Sequence, residues 1–106
     1  MLENAAAIRL KQHYGEEVYY LKSAVTGIDV DFYILSERAA IQVCSQLNDQ
    51  SADREISSLE KAAAAMPELN RLIIVTGEGA PSGFPGHPRI ELIPIDLFLL
   101  KGIGAV

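Results

Sequence analysis

The sequence has one cysteine, Cys44, so no internal disulfide can form and a secreted disulfide scaffold is excluded. No apolar run approaches the ~18 residues that a membrane-spanning helix needs, so no membrane partner is expected. Residues 1–10 carry Glu3 and Arg9 inside their apolar stretch and do not read as a signal peptide, which makes the cytoplasm the expected compartment. Positive charge is in deficit: nine Lys plus Arg stand against 14 Asp plus Glu, a net charge of −5. A freestanding nucleic-acid binder usually carries the opposite balance, so no nucleic-acid partner is expected for the isolated domain. Internal repeats, charge blocks and low-complexity tracts are absent. So is a phosphate-binding loop, because no glycine-rich stretch ends in a Lys-Ser/Thr pair. Gly77-Glu78-Gly79 follows a predicted strand but lacks the spacing of a dinucleotide fingerprint, opens no helix and is trailed by Pro81 and Pro85. With His13 at a helix end and His87 in a loop, the pattern supplies neither a zinc set nor a base that would make Cys44 a nucleophile.

What remains is an ordinary globular composition, 49% hydrophobic and 22% charged over 106 residues, enough for one domain spanning 1–106. Apolar spacing near 3.6 and three alanines predict a helix over residues 2–14, stopped by Gly15. Val- and Tyr-rich residues 17–23, alternating residues 29–35 and residues 39–47 read as three strands, with turns at 24–28 and at Glu37-Arg38. A second helix is expected from about Asp53 to Met66, with Ser51 as its N-cap and a buried stripe of Ile56, Leu59, Ala63 and Met66. Residues 71–76, an almost unbroken apolar run, predict a strand covered on both faces. A Gly/Pro loop over 77–89, a strand over 90–95 and a short helix over 97–100 capped by Asp96 complete the chain. The order αβββαβ, with a further strand and helical turn, predicts an α/β fold with a central mixed sheet flanked by helices.

Alternation along the second strand puts Val30, Phe32 and Ile34 on one expected face and Asp29, Asp31 and Tyr33 on the other. A hairpin with the third strand then gathers Asp31, Gln42 and Cys44 on one face, with Glu3 of the first helix at its edge. Asp29 and Asp31 at i and i+2 equally fit a solvated strand face, and Lys22 on the first strand reads as a surface lysine in preference to a migrated catalytic one. The segments Glu3-Asn4, Asp29-Val30-Asp31-Phe32, Ile41-Gln42-Val43-Cys44 and Arg54-Glu55 resemble, in order and spacing, the PD-(D/E)xK restriction-endonuclease-like superfamily. Within it the chain is similar to the C-terminal domain of unknown function of prokaryotic AAA-type ATPases, over nearly its whole length.

The resemblance implies a restriction-endonuclease-like αβββαβ core. It also implies that the chain is the excised C-terminal part of a larger ATPase, with any ATP bound in a separate parent domain. In active members of the superfamily the strand-two Asp and the strand-three acid hold Mg²⁺, and a Lys two residues later orients the attacking water. Asp31 matches the first, but Gln42 replaces the acid and Cys44 replaces the Lys. A neutral thiol cannot stand in for a cation, and losing one transition-state donor costs ~2.7–4 kcal/mol. The expectation is therefore a non-catalytic accessory domain with a vestigial site at Glu3, Asp31, Gln42 and Cys44, no cofactor of its own, and a protein partner or its own ATPase domain. The alternative is a divergent Mg²⁺-dependent nuclease with Asp31, Gln42 and Glu3 around the metal. A self-associating structural domain, a homo-oligomer, is the third reading. If Glu3, Asp29 and Asp31 crowd one region with no cation between them, Asp31→Asn should be neutral or stabilising by at most about 1 kcal/mol.

Overall fold

The computed structural model describes residues 2–22, 29–44, 49–77 and 89–101, with the side chains of 2, 3, 20–22, 29, 49–52 and 101 outside that description. Helix α1 spans Leu2–Tyr14 and buries Ala6 and Leu10, one turn apart, against the sheet. It ends at Gly15, whose φ of +61° is a left-handed conformation that a Cβ would strain. A single 3-10 turn leads into β1 (Val18–Lys22), which is followed by β2 (Asp29–Ile34) and β3 (Ala39–Cys44). Helix α2 (Asp49–Ala65) connects β3 to β4 (Arg71–Thr76). Strand β5 (Ile90–Pro94) runs straight into α3 (Ile95–Lys101).

The five strands lie side by side in sequence order. Both β1–β2 and β2–β3 are antiparallel, while β3–β4 and β4–β5 are parallel, so β2 runs against the other four. The fold is thus α/β, with a mixed sheet and helices on both of its faces. One core layer packs α1 and α3 against the sheet through Leu10, Phe98, Phe32, Ile41 and Ile73. The other packs α2 against it through Leu59, Ala62, Tyr33, Leu72 and Ile74. The unbroken apolar run of β4 follows from this sandwich: Leu72 and Ile74 face α2, Ile73 and Val75 face α1 and α3, and all four are at most 1% exposed. Each such side chain contributes roughly 1.5–3 kcal/mol of hydrophobic stabilisation.

The structure departs from the expected boundaries at two helix starts. Helix α2 begins at Asp49, so Ser51 sits inside its first turn and is not the N-cap. Its buried side chains are Leu59 and Ala62, with Ile56, Ala63 and Met66 packed at the margin of the cluster. Helix α3 begins at Ile95, which places Asp96 within the first turn, where its charge still meets the positive end of the helix dipole. The expected turn at 24–28 and most of the Gly/Pro loop lie outside the described residues. No helix among the described residues is long and apolar enough to cross a membrane.

Arg38, in the turn between β2 and β3, adopts φ +51°, a left-handed conformation disfavoured for a residue with a Cβ. Its carbonyl accepts hydrogen bonds from Asn70 N–H at 2.8 Å and Arg71 N–H at 3.2 Å, which ties the turn to the start of β4. Main-chain bonds survive a glycine substitution, and the left-handed strain does not. Arg38→Gly should therefore raise stability in urea by up to about 1 kcal/mol, whereas glycine at an unstrained position costs ~0.5–1 kcal/mol. A loss on substitution would show that the Arg38 side chain stabilises the turn by more than the strain costs.

Candidate functional site

The antiparallel ladder between β2 and β3 runs through Ile34↔Ala39, Tyr33↔Ala40 and Phe32↔Ile41. Its next rung would join Asp31 to Gln42, and there side chains take over from the main chain. The Asp31 N–H donates to Gln42 Oε1 at 2.8 Å, and the Val43 N–H donates to Asp31 Oδ2 at 2.8 Å. Both side chains are buried, Asp31 at 9% and Gln42 at 4% relative exposure. Each therefore spends an oxygen on a backbone donor of the opposite strand that would otherwise be left without its ladder partner.

The cause lies on the other side of β2. Strands β1 and β2 pair as Val18↔Ile34 and Tyr19↔Tyr33, then shift to Leu21↔Val30 and Lys22↔Asp29. Two residues, Asp31 and Phe32, thus stand opposite the single residue Tyr20, which is a β-bulge. The extra residue breaks the side-chain alternation. Val30 packs in the α2-side cluster, while Phe32 and Ile34 pack in the α1-side cluster, so the expected common face of Val30, Phe32 and Ile34 does not exist. Beyond the bulge β2 stays with β1, and β3 stays with β4 through Cys44↔Thr76 and the 3.0 Å bond from Gly77 N–H to the Cys44 carbonyl. The two halves of the sheet part here, at the carboxyl ends of the parallel strands. Ligand crevices of α/β sheets commonly open at such a place.

The structure brings Asp31 and Gln42 into direct contact across this opening. Cys44 follows on the α2 side, partly buried against that cluster, in register with Thr76 of β4. Thr76, 1% exposed, is a polar member of the site that sequence reasoning missed; a hydroxyl residue ending an apolar run just before Gly77 was its signal. Glu3 lies in the first turn of α1, but its side chain is outside the described residues, as are those of Asp29 and Lys22 and all of His87. His13 packs edge-on against Tyr14 with ring centroids 4.6 Å apart. Among the described residues no group of three or more His, Cys, Asp or Glu side chains is placed to hold a metal ion.

A second polar cluster occupies the opposite end of the sheet. Arg71, the first residue of β4, binds Glu91 of β5 bidentately, Nη2–Oε1 at 2.7 Å and Nε–Oε2 at 2.9 Å. This pair was not legible in the sequence, because it depends on the parallel register Ile73↔Glu91. The bonds to Glu91 raise the pKa of Arg71 further above its ordinary value. Burial, and then the negative charge of Glu37, raise the pKa of the Tyr14 phenol at the end of α1. No protein family, curated protein or solved structure matches the chain.

Two measurements follow from these contacts. The Val43 bond reverses the sign expected from charge crowding at Asp31. Asp31→Asn keeps an acceptor but loses charge assistance, and should cost about 1 kcal/mol in urea unfolding at pH 7. Asp31→Ala strands the Val43 N–H and should cost about 2–3 kcal/mol; equal stability of all three proteins would show that the bond contributes nothing. For Tyr14, a raised folded-state pKa means that its contribution is complete below the unfolded value near 10 and is lost as pH rises through the folded one. Wild-type stability should therefore fall more steeply than that of Tyr14→Phe above about pH 10, as read by thermal unfolding across that range.

Proposed function

We propose that this chain is a non-catalytic, nuclease-like domain that works through protein contacts, as the accessory domain of a cytoplasmic AAA-type ATPase. The αβββαβ order and the mixed sheet agree with the core that the sequence resemblance implies. The observation that carries the reading is the use made of the two candidate metal-binding side chains. Asp31 Oδ2 and Gln42 Oε1 each accept a backbone N–H across the strand gap. Turning both oxygens to a metal would strand two N–H groups, at roughly 1–3 kcal/mol each. The third position, Cys44, offers a soft thiol that suits Mg²⁺ poorly and supplies no cation. One carboxylate already bonded to the backbone, a neutral amide and a thiol are a donor set that does not fit magnesium. Ile8 of α1 and Leu97 and Leu100 of α3 leave large apolar surface exposed, which favours a protein contact over a nucleic acid.

The competing reading, a divergent Mg²⁺-dependent nuclease, draws on the position of Asp31 where the sheet opens. A cleavage assay separates the two. Single- and double-stranded DNA and RNA incubated with the protein and Mg²⁺ or Mn²⁺ should remain intact. Cleavage by the wild type that disappears in Asp31→Ala would overturn the non-catalytic reading.

A further inference from the structure

We draw no further inference here: the strongest candidate, the apolar surface patch that Ile8 of α1 and Leu97 and Leu100 of α3 leave exposed, carries nothing because no feature among the described residues shows what covers it.

Discussion

Two hydrogen bonds between side chains and main chain hold the sheet together where its ladder stops. Across the point at which β2 leaves β3, Gln42 Oε1 accepts from the Asp31 N–H and Asp31 Oδ2 accepts from the Val43 N–H, so each side chain satisfies a backbone donor on the opposite strand. Without them the bulge beside Tyr20 would leave buried donors exposed to an apolar interior. The sheet can therefore open at the carboxyl ends of β3 and β4 without losing its connection. The register β3–β4 continues unbroken to Cys44↔Thr76, so the opening is confined to one side of β3.

At the opposite end of the same strands the chain is pinned differently. The Arg71–Glu91 fork joins β4 to β5, and the Arg38 carbonyl gathers the N–H groups of Asn70 and Arg71. Between the two ends the sheet is a sandwich of aliphatic side chains with no polar interruption on β4 from Leu72 to Val75. A polar lock at each end around an apolar middle gives the strands a single register, because a one-residue slip would put Arg71 and Thr76 into the wrong layer.

The elements were legible in the sequence wherever a single period ran unbroken. Helix α1 and strand β4 fell where spacing and apolar runs placed them, and Gly15 marked a true left-handed stop. The bulge was invisible, because alternation along residues 29–35 assumes one residue per rung and the extra residue leaves no mark in composition. That one step moved Val30 to the opposite core from Phe32. The start of α2 was misplaced for another reason: Ser51 is a good cap type, yet the helix extends past it to Asp49. The Arg71–Glu91 pair and the role of Thr76 depend on contacts between distant segments, which local pattern does not encode. At the site, the pairing of Asp31 with Gln42 was legible and its purpose was not, since the same residue types serve a metal or a backbone equally well.

On this account the Asp31–Gln42 contact is a structural joint between β2 and β3 and not a cation site. The most direct test uses Mn²⁺ as a paramagnetic probe on ¹⁵N-labelled protein, following every backbone amide by NMR as the ion is added to a stoichiometric level. A joint committed to the backbone predicts no selective broadening of the Asp31, Gln42, Val43 and Cys44 amides relative to the rest of the chain. Selective loss of those four signals at a stoichiometric level of Mn²⁺ would contradict the account and establish a cation site where β2 and β3 part.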